Sequence, residues 1–195
     1  MSSVPKLSPM VAGELADCLS QIDEIQTDAE HLLDGLSDHQ FNWRPAFGKW
    51  SIAQCVSHLE VVGRKHLPRI DDAIQHAHAA RWYGDGPFKY GFVEKWFVHS
   101  NEPPPRLRMK APRAAAPLAF QPRKELWGEF VALQEELRER IRQAQGLDLA
   151  RAKVHSPFVG PFKFGLGACF LFLAAHERRH LWQARQVRSH ADFPA

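Results

Sequence analysis

Two histidines, His176 and His180, stand four residues apart in a stretch that contains no helix breaker. Residues at this spacing share one face of an α-helix, with Cβ atoms about 5–6 Å apart, so both imidazoles can reach one ion. The same face carries Cys169 and Leu173 before the pair and Val187 after it. The two histidines therefore lie in the middle of an apolar stripe, where polar side chains need a partner.

The sequence from 176 to 180 also matches the zinc-protease pattern H-E-x-x-H, in which the glutamate acts as general base. The extended form of that motif has glycine and histidine where this chain has Gln183 and Gln186. Farther along, only Asp192 and His190 offer a third ligand. We therefore give the protease interpretation little weight. Because the chain has 11 histidines, the spacing of the pair is by itself a weak motif.

A third imidazole is available on another predicted helix. Ser51 and Gln54 form a capping-box pattern that predicts a helix start, and His58 lies on the flank of the apolar face that follows. Across a helix bundle this side chain could meet His176 and His180. Three histidines leave one metal position open for water or substrate, as in catalytic rather than structural zinc sites.

Four long amphipathic segments must position these residues. Apolar residues at helical spacing predict four helices, at 11–34, 51–81, 122–146 and 166–189. Pro68 is expected to bend or end the second of them, so residues 69–81 are either its continuation or a separate helix. No alternation of the kind that marks strands stands out. The pattern predicts an all-α fold, a four-helix bundle that forms one domain over residues 1–195, with its core at about 11–190.

A long crossover joins the second and third predicted helices. It extends from Trp82 to Pro122, with a short helix expected at 91–99 and a proline-rich stretch after it. A connection of this length is unusual in a bundle unless it covers something. We expect it to lie over one end of the bundle.

The charge pattern argues against a nucleic-acid partner, since the net charge is only +3. Basic residues do gather in the crossover and on the last helix, and we interpret them as solvated loop and helix surface rather than as phosphate-binding groups. The two groups are Arg106, Arg108, Lys110 and Arg113, and Arg178, Arg179, Arg185 and Arg188.

Cysteines and hydropathy indicate the compartment. The three cysteines, Cys18, Cys55 and Cys169, cannot all pair within the chain, and each lies on or beside an apolar helix stripe. Free thiols favour a reducing environment. The longest apolar run, 168–175, is far shorter than the roughly 20 residues of a membrane span. We expect a soluble, cytoplasmic protein that does not act at a membrane.

Several short motifs together resemble the DinB/YfiT-like superfamily of helix-bundle proteins, over roughly residues 11–188. Their order and separations are more specific than any one of them. They are Trp43-Arg44-Pro45, Trp50-Ser51-Ile52 leading to His58-Leu59, Ser156-Pro157-Phe158, and His176, His180 and Gln183 on the last helix.

This resemblance implies a four-helix bundle with a three-histidine metal site, often in a homodimer. His58, His176 and His180 would bind a divalent ion, with zinc or nickel the first candidates. Related proteins include metal-dependent hydrolases and transferases that use a low-molecular-weight thiol. The resemblance therefore implies a metal-dependent enzyme that activates water or a thiol for hydrolysis or thiol transfer on a small molecule.

Two polar residues beside the histidines are further site candidates. Gln183 lies on the histidine face and could orient a ligand by hydrogen bonding, or it could be a polar residue at the mouth of the bundle. For Glu177 we favour a supporting or a solvated flank position over a role as proton acceptor. The alternative to an enzyme is a stress-response bundle that binds a metal or ligand without turnover.

Overall fold

The computed structural model describes residues 9–105 and 111–195, with the backbone alone for 9–12. Within these ranges the chain forms six α-helices, one 3-10 turn and two short strands. The bounds are α1 Pro9–Leu33, α2 Asp38–Asn42, α3 Ile52–Ala79, α4 Phe92–Asn101, the 3-10 turn Arg113–Ala115, α5 Arg123–Gln143, β1 Lys153–His155, β2 Lys163–Gly165 and α6 Leu166–Arg188.

The four long helices α1, α3, α5 and α6 form the bundle. α3 packs against α5 and α6, and α1 packs against the same two helices. Each long helix thereby buries its apolar stripe against two neighbours, so that the apolar side chains are removed from water. The predicted all-α four-helix bundle is confirmed. Among the described residues, no helix is long and apolar enough to cross a membrane.

The core falls into two buried clusters stacked along the bundle. One cluster surrounds Phe41 and Phe130, next to α2 and the start of α3. The other contains Leu133 and Phe164 and extends to the small sheet. Along α3 the first cluster includes Leu59 and the second begins at Val62, and the two also meet along α6. The two clusters therefore meet between Leu59 and Val62 on α3 and between Leu173 and Ala174 on α6.

α3 begins as predicted and is a single continuous helix. Ser51 is its N-cap, with the Ser51 side chain accepting from the Gln54 N–H and the Gln54 side chain accepting from the Ser51 N–H. The helix does not end at Pro68 but continues to Ala79. Because Pro68 is exposed, the carbonyl that loses its N–H partner lies on the side of the helix that faces water. The buried neighbours Leu67 and Ile70 keep the helix packed on the core.

The connection between α5 and α6 contains structure that the sequence did not predict. β1 and β2 pair antiparallel, with Val154 opposite Phe164 and both side chains buried. Each strand has three residues, too few for an alternating pattern to stand out from the sequence.

In its described part the crossover contains one α-helix, α4, which ends two residues beyond the predicted segment 91–99. It packs against α6. Gly91 is its N-cap, and the Glu94 carboxylate accepts a hydrogen bond from the Gly91 N–H.

Two groups of basic residues were predicted to be solvated. In the crossover group, Arg106, Arg108 and Lys110 lie outside the described residues. On α6, Arg188 is exposed, and Arg178, Arg179 and Arg185 are partly exposed. These arginines also bind neighbouring elements: the Arg178 guanidinium donates to the Glu102 carboxylate, and Arg188 donates to the last carbonyls of α1.

Candidate metal centre

α3 and α6 bring three imidazoles to one point. His58 comes from α3, and His176 and His180 come from consecutive turns of α6. One ring nitrogen from each lies within 4.8 Å of the others, and the Nε2 atoms of His58 and His176 are 3.1 Å apart. The convergence expected from the sequence is found, and a group of three histidines at this spacing could hold a metal ion.

The surroundings keep all three imidazoles neutral. Burial lowers the pKa of His58, partly offset by a backbone hydrogen bond. Burial, followed by repulsion from His180 and His58, lowers the pKa of His176 well below its usual 6.5. Burial and the nearby His58 lower the pKa of His180 to about 3. Since metals bind the unprotonated imidazole, the three side chains are in the binding form at neutral pH.

Each imidazole is also held from its far side by an oxygen atom. His58 Nδ1 lies 2.6 Å from the Ala115 carbonyl oxygen, His176 Nδ1 lies 3.2 Å from Asn101 Oδ1, and His180 Nδ1 lies 3.1 Å from Gln183 Oε1. A backbone carbonyl can only accept, so the His58 Nδ1 carries the proton and its Nε2 has a free lone pair.

Gln183 therefore makes the contact with a site histidine that the sequence suggested. Asn101 and Ala115 belong to the crossover, and sequence reasoning missed both. No sequence signal marked them, because their contacts join residues 75 and 57 positions apart.

Trp50 forms a wall of the site. Its ring stacks on His180 with centroids 5.6 Å apart and an interplanar angle of 28°, and it lies 5.0 Å from the ring of His58. Trp50 immediately precedes the N-cap of α3, so the turn that starts the helix also places an apolar surface beside two of the histidines.

Glu177 lies elsewhere than expected. The preference for a solvated flank position was wrong, because only 3 % of the residue is exposed. Its Oε1 accepts a 3.1 Å hydrogen bond from the Gln134 amide of α5, and burial raises its pKa to about 7. The glutamate of an H-E-x-x-H site must lie beside the metal-bound water. Here the carboxylate is bound to a residue on α5, which supplies none of the three histidines.

His66 also belongs to α3, and its side chain is buried. Its Nδ1 donates to the Val62 carbonyl at 2.8 Å, and its ring lies 5.7 Å from those of Phe158 and Phe172. Burial lowers its pKa to about 4. The α3 face that carries His58 therefore continues into an aromatic layer of the core.

The cysteines do not join the histidines. Cys18, Cys55 and Cys169 are all buried and unpaired, as predicted. Burial raises the pKa of Cys18 to about 12 and raises those of the other two thiols as well. Their thiols remain protonated, which makes them poor metal ligands.

Fold and site together define a four-helix bundle with three histidines between two of its long helices. A model of the DinB superfamily matches residues 21–184, a range that includes all three histidines. The chain belongs to the DinB superfamily. A comparison with curated proteins gave no match.

Proposed function

We propose that this DinB-superfamily protein is a metal-dependent enzyme that acts on a small molecule. His58, His176 and His180 hold a divalent ion, with zinc or nickel preferred because imidazole suits both. Three protein ligands leave one position open, the arrangement of catalytic rather than structural sites. The reaction is hydrolysis or the transfer of a low-molecular-weight thiol.

One observation carries this proposal: the short distance between the Nε2 atoms of His58 and His176. The two atoms are 3.1 Å apart, and the far side of each ring is already engaged through Nδ1. When Nδ1 carries the proton, Nε2 is an acceptor only, and two acceptors at this distance repel each other. A cation between them converts that repulsion into two bonds. The donor set therefore fits a divalent metal.

A divalent ion with an open position lowers the pKa of a bound water or thiol, so that a nucleophile exists at neutral pH. The protein's own groups prepare the site for this. The Ala115 carbonyl and the Gln183 amide fix the far sides of His58 and His180, and the Trp50 ring limits access of water to the same two imidazoles. His176, in contrast, is only partly buried, and we expect a small molecule to approach from its side.

A thiol co-substrate is consistent with the compartment that the cysteines suggest. Three unpaired cysteines in one chain are typical of proteins from reducing surroundings, and we place this protein in the cytoplasm on that ground. Low-molecular-weight thiols are abundant in such a compartment.

The experiment compares chelator-stripped protein with protein reloaded with zinc or nickel. Hydrolysis of an ester and amide panel is measured, and in parallel the consumption of a small thiol in the presence of alkylating electrophiles. We expect turnover only in the loaded protein. His176→Ala should lose both the ion and the turnover, while His39→Ala, on the exposed surface of α2, should keep both.

Two results would replace the proposal. A stoichiometric ion without turnover on either panel would favour a stress-response bundle that binds metal without catalysis. No bound ion in the wild-type protein would remove the metal site altogether.

A further inference from the structure

Asn101, the last residue of α4, has an amide whose orientation is fixed by its surroundings. Only 3 % of the residue is exposed. Its Nδ2 donates to the Phe97 carbonyl oxygen at 2.8 Å, and its Oδ1 lies 3.2 Å from His176 Nδ1. A carbonyl oxygen can only accept, so the NH2 group must face Phe97 and the amide oxygen must face the imidazole.

That orientation determines which ring nitrogen of His176 carries the proton. Because Asn101 Oδ1 only accepts, His176 Nδ1 must donate, and Nε2 keeps its lone pair toward His58 and His180. We propose that Asn101 is the positioning residue of the metal centre, which selects the metal-binding tautomer of His176 and holds its ring. This inference rests on the proposed function, since it assigns a role toward the same ion.

The end of α4 is anchored on the α6 turn that carries His176. Arg178 donates through Nε to Glu102 Oε2 at 3.0 Å, and Arg179 donates through Nη1 to the Ser100 carbonyl at 3.2 Å. The residues before and after Asn101 are thus both bound by arginines two and three positions beyond His176. The histidine and the anchor of its partner belong to one helical turn, so the distance between them is well determined.

Asn101 differs from the other two groups that hold the site histidines. The partner of His58 is a backbone carbonyl, and the partner of His180 is three residues away on the same helix. Asn101 is the side chain that connects a site histidine with a separate helix of the crossover. We expected the crossover to cover part of the bundle. Its helix α4 does so by placing the Asn101 amide beside a histidine of the metal centre.

Three variants separate positioning from simple support of the fold. Asn101→Leu keeps the size and removes both the acceptor toward His176 and the donor to the Phe97 carbonyl. Asn101→Asp loses the same donor but keeps an acceptor toward His176. Asn42→Leu is the matched control, because the Asn42 amide also donates to the carbonyl four residues before it and also holds the crossover, at Gln121, while it contacts no histidine.

Two measurements are made on each protein. Zinc affinity is determined by competition with a chromophoric chelator, and the tautomers of the histidines are read from long-range ¹⁵N–¹H spectra of metal-free protein. Replacing an outer partner of a metal-binding histidine typically costs about 10–100-fold in affinity. We expect that loss for Asn101→Leu, with mixed tautomers at His176 and unchanged Nδ1–H signals at His58. Asn101→Asp and Asn42→Leu should keep wild-type affinity within about threefold, well below that loss.

The inference is overturned if Asn101→Leu binds zinc like the wild type, if Asn42→Leu loses as much affinity, or if His176 is the Nε2–H tautomer in the wild type. A wild-type protein that binds no zinc would defeat the proposed function instead. The tautomer of His176 in metal-free protein would still test the role of Asn101 in that case.

Discussion

Replacing Glu177 with glutamine should stabilise the protein, most strongly above neutral pH. Glu177 and Gln134 form a buried pair between α6 and α5, and Gln134 is fully inaccessible to water. Among the described residues, Glu177 Oε2 and Gln134 Oε1 have no hydrogen-bond partner. Both atoms are acceptors when the carboxyl is ionised. A glutamine at 177 brings an NH2 group that can donate to Gln134 while its oxygen still accepts from it.

The magnitude follows from the pKa of Glu177, which burial raises from 4.5 to about 7. Below pH 4.5 the carboxyl is protonated in both the folded and unfolded chains. Between 4.5 and about 7 the unfolded chain releases the proton and the folded chain retains it, so stability falls as the pH rises. At about 1.4 kcal/mol per pH unit, the full loss above pH 7 is about 3 kcal/mol.

The assay is urea unfolding of metal-free wild type and Glu177→Gln at pH 5 and pH 8. The gain in unfolding free energy should be about 2 kcal/mol larger at pH 8, because most of the titration lies between these values. Glu129→Gln, on the exposed side of α5, is the control and should show no such difference. Equal gains at both pH values, or a destabilised variant at pH 8, would refute the reasoning. Zinc binding should be unchanged, since the carboxylate contacts α5.

Three further expectations concern the site and the core. Zinc affinity should change less than about threefold between pH 7.5 and 6, because burial lowers the pKa of His180 to about 3 and protons do not compete in that range; chelator competition across pH checks this. The unfolding free energy of metal-free protein should decrease as the pH falls from 6.5 toward 4. In that range His66 takes up a proton in the unfolded chain but not in the folded chain, where burial lowers its pKa to about 4. His66→Phe should remove about 2 kcal/mol of that loss in denaturant titrations. Gly63→Ala should destabilise by about 1–3 kcal/mol in thermal unfolding, because its Cβ would lie 2.5 Å from Leu133 Cδ2, whereas Gly128→Ala, which has open space, should be neutral or stabilising.

The sequence predicted the long helices well because their signals are local. Apolar residues at helical spacing placed α1, α3, α5 and α6, and the Ser51 capping box placed the start of α3. His58 could be connected with the pair on α6 because all three histidines lie on or beside apolar stripes of helices that a bundle must bring together.

What the sequence did not predict depends on distant partners. The side of α6 that carries Glu177 became a buried interface only because Gln134 of α5 lies opposite it. Asn101 and Ala115 reach the histidines through a crossover whose path no periodicity describes. Whether residues 69–79 continue α3 or form a separate helix depends on the side of the helix that Pro68 occupies, which a sequence alone does not reveal.

The most direct test of the metal centre is X-ray absorption at the zinc edge of protein reloaded with one equivalent of zinc. The convergence of His58, His176 and His180 predicts three imidazole nitrogens at about 2.0–2.1 Å and one exchangeable ligand that is not an imidazole. His58→Ala should lower the imidazole count by one. A wild-type spectrum with fewer than three imidazoles, or a failure to retain zinc at all, would contradict the account.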